Sequence, residues 1–373
     1  MRTVQAAAAA VTALTAAGVA AVAAGRIAGG AALRPSAGRP PAGEPRLTVH
    51  GVAAGTVTLT RSLASQRPGT YGLAGEGSHA VVGPVLHSVP HPADTVVRRL
   101  ERVTHGALEP GDKVWLTPNL HVGDPAGALG LDHADVDVPG ELGPLPAWFL
   151  PGVRDTWVIT VHGLGTTREH PLNLLPLLHG LRFPVLDLAH RGDPGAPRSP
   201  DGLHHLGETE WRDLDAAIRY AVRYGARRIV VHGWSTGATM ALRAAAHSPV
   251  RDRINGLVLD SPVLHWESTL RALAAAHRTP AALLPLAVRA AQGRTGRVSR
   301  HGDDTTGPPN IPTLIFHGPD DRLAPWTHSR LLAARRPDLI RLHTVRHAPH
   351  NAMWNADPAA YEEALRRFLT PFM

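Results

Sequence analysis

The sequence predicts an α/β fold: a mostly parallel sheet flanked by helices, with a β-rich region ahead of it. Two patterns carry that expectation. From about residue 144 onward, short apolar runs of strand length alternate with amphipathic stretches of helix length. That alternation is how a parallel sheet buried on both faces reads. Between residues 47 and 143 the runs are short and β-like, separated by turn pairs such as Pro68-Gly69 and Pro110-Gly111.

Residues Thr3 to Gly25 form an uncharged, Ala-rich stretch, roughly long enough to cross the hydrocarbon core as a helix. A membrane anchor, a signal segment cut near Ala21 to Ala24, and an Ala-rich soluble helix all fit it. Arg2 precedes the stretch, and Arg26, Arg34, Arg39 and Arg46 follow it. An uncleaved span would by that balance keep its C-terminal side in the cytoplasm, against the export reading. Residues 26–46 are rich in Pro and Gly and read as an extended linker.

The accessory region, residues 47–143, offers strand candidates at Thr56 to Leu59 and Lys113 to Leu116, while Arg98 to Leu100 fits a strand or a short helix. Residues 144–373 form the expected catalytic domain. Its strand candidates are Trp157 to Val161, Val185 to Leu188, Ile229 to Val231, Leu257 to Leu259, Thr313 to Phe316 and Leu342 to Val345. Helices are expected near Trp211 to Tyr224, Thr236 to His247, Ser329 to Arg335 and Pro358 to Leu369, the last with Asp357 as N-cap and Pro358 in its first turn.

Composition removes several kinds of chemistry. The chain carries a net charge of +7, but its arginines are scattered and Lys113 is the only lysine. A nucleic-acid surface gathers basic residues on one element, so none is expected. There is no cysteine, which excludes disulfides and thiolate chemistry. The 23 histidines include no HExxH helix, and His204 and His205 are adjacent rather than on one helical face. No metal and no cofactor are expected.

Four segments carry the chemistry. Gly233-Trp234-Ser235-Thr236-Gly237 lies between a strand and a helix. That context puts a serine on a sharp turn, clear of the sheet, with a helix N-terminus aimed at developing negative charge. Val161-His162-Gly163-Leu164-Gly165 follows an earlier strand. The N–H groups of Leu164 and Thr236 are the expected oxyanion donors. Phe316-His317-Gly318-Pro319-Asp320-Asp321 offers a carboxylate at a strand end, with Asp321 preferred over Asp320 and over the more distant Asp260. The run from Arg346 to Pro358 offers an imidazole, His350, with His347 as its alternative. The order Ser, Asp, His is the order found in one class of serine enzymes.

These segments resemble the α/β-hydrolase superfamily, in particular bacterial prolyl-oligopeptidase-like and serine-aminopeptidase-like hydrolases, over roughly residue 144 to the C-terminus. The carriers are VHGLGTTRE, GWSTG, LDSP, HGPDD and HAPHNAMW, together with the long run from Ala189 to Ala221. The resemblance implies that Ser235, Asp321 and His350 form a triad, with Ala348 and Trp354 in matching places. It also implies that Glu210, Trp211 and Asp213 lie on a structural helix, and that residues 266–312 form a small cap. The implied activity is cleavage of a carboxylic ester or amide of a small molecule through an acyl-enzyme. A peptidase or an acyltransferase would use the same triad. The contrasting reading is a membrane-tethered binding protein that keeps the fold without turnover.

Overall fold

The computed structural model describes residues 23, 25–34, 43–295 and 307–373. Two sheets organise them. The first is a closed barrel of six strands: β1 (Leu47–Ala53), β2 (Thr56–Thr60), β3 (Tyr71–Gly75), β4 (Ser78–Val85), β5 (Thr95–His105) and β6 (Lys113–Thr117). They run in the order β1-β2-β5-β4-β3-β6, and every pairing is antiparallel. Strand β2 shows why this sequence makes a barrel. In Thr-Val-Thr-Leu-Thr, Val57 and Leu59 are fully buried while the threonines are half-buried, the two-residue alternation of a sheet with one dry face. Arg98, left open between strand and helix, sits in β5 and is buried. Its guanidinium donates to the carbonyls of Ser65, Arg67 and Gly69 at 2.7–3.0 Å, which ties down the loop before β3.

A short helix, α2 (Pro125–Leu129), leads to the second sheet. Its eight strands are β7 (Ala134–Gly140), β8 (Gly143–Leu150), β9 (Thr156–Val161), β10 (Val185–Leu188), β11 (Arg228–Trp234), β12 (Ile254–Asp260), β13 (Thr313–His317) and β14 (Ile340–Thr344). The order is β14-β13-β12-β11-β9-β10-β8-β7. Strands β9 to β14 pair in parallel, and β7 and β8 are antiparallel additions at one edge. The sheet therefore starts ahead of the expected boundary at residue 144, and residues 134–143 belong to it rather than to the accessory region. Every residue of β9, β10 and β13 is buried, as expected for strands covered on both faces.

Helices α3 (Leu175–Gly180), α4 (Trp211–Arg223), α5 (Thr236–His247), α8 (Trp326–Arg335), α9 (Met353–Ala356) and α10 (Pro358–Leu369) flank the sheet. Leu214, Ile218, Met240 and Leu242 pack on one face, and Leu172, Leu178, Tyr361 and Leu365 on the other. The Asp357 side chain accepts from the Ala360 N–H and caps α10, preceding its Pro358.

Residues 26–32, expected to belong to a Pro- and Gly-rich extended linker, are instead helical, in a helix (α1) that includes Gly25. They dock on the cap helices α6 (Trp266–Ala276) and α7 (Leu284–Thr295). The reason is close approach. A Cβ on Gly29 would meet the Ala287 carbonyl oxygen at 2.8 Å, and one on Gly25 would meet Leu286 at 2.9 Å. The glycines that weaken a free helix permit this contact, and Ala32 and Leu33 then bury against Leu270, Leu273 and Val288. Most of the expected membrane or signal segment, Thr3 to Gly25, lies outside the described residues. Among the described residues no helix is long and apolar enough to cross a membrane.

Candidate active site

Ser235 stands at the sharp turn between β11 and α5, with φ +52° and ψ −114°. Few non-glycine residues tolerate that conformation. The surroundings enforce it. A Cβ on Gly233 would meet the Gly237 carbonyl at 2.5 Å, and one on Gly237 would meet the Val161 carbonyl at 2.3 Å. The Ser235 N–H donates to the Asp260 carbonyl at 2.8 Å, tying the turn to the neighbouring strand.

His350 lies on the loop after β14. Its Nε2 is 2.7 Å from Ser235 Oγ, and its Nδ1 is 2.7 Å from Asp321 Oδ2. The three expected residues thus form one hydrogen-bonded line from three distant segments. Asp321, after β13, is nearly saturated with donors. Oδ1 accepts the N–H groups of Leu323 and Ala324 at 2.9 and 2.8 Å. His317 Nε2 lies 3.0 Å from Oδ2, and its Nδ1 lies 2.7 Å from Ser329 Oγ. Burial by itself would push the Asp321 carboxyl up, but the nearby His350 and the hydrogen bonds from both histidines prevail, and it is held well below the usual carboxylate range.

The alternatives go elsewhere. Asp320 Oδ2 accepts the His347 N–H at 2.7 Å, and His347 is exposed. Asp260 is fully buried and takes a 2.7 Å hydrogen bond from the Ser261 hydroxyl. Its other oxygen has no hydrogen bond of good geometry, although the Tyr361 hydroxyl lies near. Burial pushes the Asp260 carboxyl up to about 7, against the lowering effects of Ser261, Tyr361 and His350. Ser261 Oγ in turn accepts the Asn351 N–H at 3.1 Å, next to His350.

The expected oxyanion donors differ in one respect. The Leu164 N–H donates to Thr236 Oγ1 at 2.9 Å, so a hydroxyl stands between that amide and the cavity. The turn before Leu164 is braced from behind. His162 is buried, with Nε2 2.8 Å from Asp193 Oδ2 and Nδ1 3.0 Å from the Gly163 carbonyl. Asp193 also accepts the His190 N–H at 2.7 Å. Among the described residues, His162, His190 and Asp193 bring possible ligand atoms within 4.8 Å of one another. The two rings are stacked, with centroids 4.4 Å apart and 26° between planes. Asp193 Oδ2 is shared between the His162 ring and the His190 N–H, which makes the cluster a hydrogen-bonded brace. Glu210 and Asp213 are also braces. Glu210 accepts the His205 and Gly207 N–H groups, and Asp213 holds Arg191 through three N–H groups.

Neither His317 nor the Thr236 hydroxyl was singled out from the sequence. His317 does occupy the strand-end motif that supplies Asp321, and Thr236 was chosen for its amide alone. The barrel's share of the site has no sequence motif. Ser235, Thr236, Leu164 and His350 line a cavity of about 880 Å³ whose opposite wall is made by barrel residues, including Tyr71, His79 and Trp115, with α6 above.

A family model described as alpha/beta hydrolase fold matches residues 156–279. The chain has the α/β-hydrolase fold. A second family model, described as a domain of unknown function, matches residues 48–117 of this α/β-hydrolase-fold chain, which is the barrel. Among solved structures, an esterase from Pyrococcus furiosus superposes with a TM-score of 0.55 at 22% identity, covering 68% of this chain and 95% of the esterase. A proline iminopeptidase-related protein from Thermus thermophilus superposes with a TM-score of 0.51 at 17% identity, covering 65% of this chain and 99% of that one. No curated protein sequence matches the chain.

Proposed function

We propose that this chain is a serine hydrolase that cleaves a carboxylic ester through an acyl-enzyme on Ser235. The observation that carries the reading is the unbroken line from Ser235 Oγ through the His350 ring to Asp321, with 2.7 Å at each step. In this reading His350 Nε2 takes the Ser235 proton as Oγ attacks the ester carbonyl, and Asp321 fixes the imidazole tautomer and stabilises the cation that forms. His350 then gives the proton to the departing alcohol. Water, activated by the same imidazole, releases the acid.

The oxyanion is received by the Thr236 N–H at the start of α5 and by the Thr236 hydroxyl. The Leu164 N–H donates to that hydroxyl's oxygen, leaving its proton free to point at the reacting oxygen. An ester is preferred over a peptide because Glu44, one of the acids lining the cavity that could capture an α-amino group, already accepts from Arg67 through both oxygens at 2.8 Å.

Labelling by a fluorophosphonate probe tests the assignment. The wild-type protein is expected to label and to hydrolyse short nitrophenyl esters, and Ser235→Ala to do neither. Labelling of Ser235→Ala, or none of the wild type, sinks it.

A further inference from the structure

The cavity beside Ser235 continues past the reacting atoms, and its direction follows from the chain. The Val263 N–H donates to the Ser235 carbonyl at 3.3 Å, shortly before α6 begins at Trp266. The N-terminal end of α6 is therefore held near the nucleophile, and the helix leads away from it. Thr269, Ala272, Leu273 and Ala276 line the cavity. Their spacing is that of one helix face, and from Thr269 to Ala276 the face runs for about 10 Å. At its far end Gly43 stands against Ala276, where a Cβ on the glycine would touch the Ala276 methyl at 3.7 Å.

The facing wall is the outside of the barrel. Leu73 of β3 and Val114 and Leu116 of β6 belong to the barrel interior, so the alternation of a strand turns Ala74 and Trp115 outward. These two are cross-strand partners, and both line the cavity. Ala74, Ala272 and Ala276 are only half-buried, so their methyl groups are open to an occupant. Half-buried Leu164 and Leu323 carry the apolar surface back to the nucleophile. The acids of the lining are already bonded: Glu44 to Arg67, Glu169 to the Gly123 N–H at 2.8 Å, and Asp320 to the His347 N–H. Arg34 and Arg322, also in the lining, are exposed to water. A methyl-lined slot that starts at the nucleophile suits an unbranched hydrocarbon chain, which gains by burying each methylene and asks for no hydrogen bond.

We propose that the substrate is an ester of a medium-chain fatty acid, whose alkyl chain lies between α6 and the barrel with its carboxyl carbon at Ser235. A face of about 10 Å matches roughly eight carbons. The inference rests on the serine-hydrolase reading and deepens it by naming the acyl group. The chain belongs to the acid rather than to the alcohol because of the order of events. The bond from the acyl carbon to the alcohol oxygen breaks, the bond to Ser235 Oγ forms, and His350 gives the serine proton to the departing oxygen. The alcohol must then leave and water enter while the acyl group stays tied to Ser235. The inner slot is the place for the part that stays. Barrel and cap together set the chain length.

The test measures kcat/KM of the full chain on monomeric nitrophenyl butyrate and octanoate, and in a second arm on butyl and octyl acetate. Each methylene buried in the slot is worth roughly fourfold at full burial. The octanoate is therefore expected to exceed the butyrate by at least about tenfold, while octyl acetate gains nothing over butyl acetate. Ala276→Trp at the far end of α6 and Ala74→Leu on the barrel wall are each expected to lower the octanoate-to-butyrate ratio by roughly fivefold or more. A general loss of structure would slow both esters alike and leave that ratio unmoved. Should the barrel variant fail to fold, Ala276→Trp in the cap reads the same ratio. A wild-type ratio near one, a gain confined to the acetate arm, or a ratio unmoved in the folded variants would overturn the proposal. Fluorophosphonate labelling separates the two levels. A wild type that labels but shows no chain-length preference loses only the acyl assignment, whereas one that does not label loses the hydrolase reading itself.

Discussion

Thr236 presents two groups to the reacting centre, and the hydroxyl is the more informative. Its oxygen takes the Leu164 N–H at 2.9 Å, so removing it separates two mechanisms. If the hydroxyl donates to the oxyanion, Thr236→Val lowers kcat by about a hundredfold to a thousandfold, the range for a lost oxyanion donor, while Thr236→Ser retains most of it. Steady-state kinetics on a nitrophenyl ester read this directly, and a valine variant as fast as the wild type would show that the hydroxyl merely screens Leu164. Asp260 gives a second test at this scale. Below its ordinary value of 3.8 the carboxyl is neutral in folded and unfolded chains alike. Between 3.8 and about 7 only the unfolded chain ionises, so stability falls as pH rises; above about 7 the full penalty persists. Asp260→Asn, of the same shape and uncharged, is expected to come close to the wild type near pH 4 and to exceed it at pH 8 by roughly 4 kcal/mol. Urea unfolding at the two pH values measures it, and a stability difference independent of pH would contradict it.

At the scale of elements, the chemistry-bearing parts were legible because each sits at a strand end with its own local signal. The elbow, the turn at Leu164 and Asp321 follow buried apolar strands that read clearly, whereas His350 follows β14, in which only Ile340 is buried. What escaped notice depends on neighbours that the local pattern does not contain. Strands β7 and β8 carry Pro139, Pro144 and Pro146, residues that argue against a strand unless it lies at an edge; β7 is the edge strand, but β8 pairs with both β7 and β10. Helix α1 looked like a linker because its glycines serve contact with α7 rather than helix propensity. That contact is open to test. Gly29→Val adds a branched side chain where even a Cβ meets the Ala287 carbonyl at 2.8 Å. Amide exchange over residues 284–293 is expected to accelerate as α7 loses its cover. Unchanged exchange there would mean that α1 contributes nothing to holding the cap.

Across the whole molecule, barrel and hydrolase sheet meet at the segment that follows His350. The Asn355 side chain donates to the Thr70 and Pro118 carbonyls at 2.9 and 3.0 Å, and its backbone carbonyl accepts the Thr70 N–H at 2.9 Å. Asn173 closes the same seam, donating to Pro118 and accepting from the Leu120 N–H. Asn355→Ala is expected to cost roughly 2 kcal/mol, because the Thr70 carbonyl loses its side-chain donor in a buried seam. The same variant should lose kcat as the His350 loop loosens. Denaturant unfolding and ester kinetics on one preparation check both, and a stable, fully active variant would remove the seam from the account. None of this was legible in the sequence, since residues 70, 118, 173 and 355 become neighbours only through closure of the barrel.

Ala352, two positions beyond His350, is packed into the hydrophobic interior of the barrel alongside Leu73 and Leu116. The module that shapes the far wall of the cavity therefore also grips the strand of chain bearing the proton carrier. Grafting a foreign barrel onto this hydrolase would exchange more than a recognition surface, because the graft must supply a socket for that one methyl group before the imidazole can find its register.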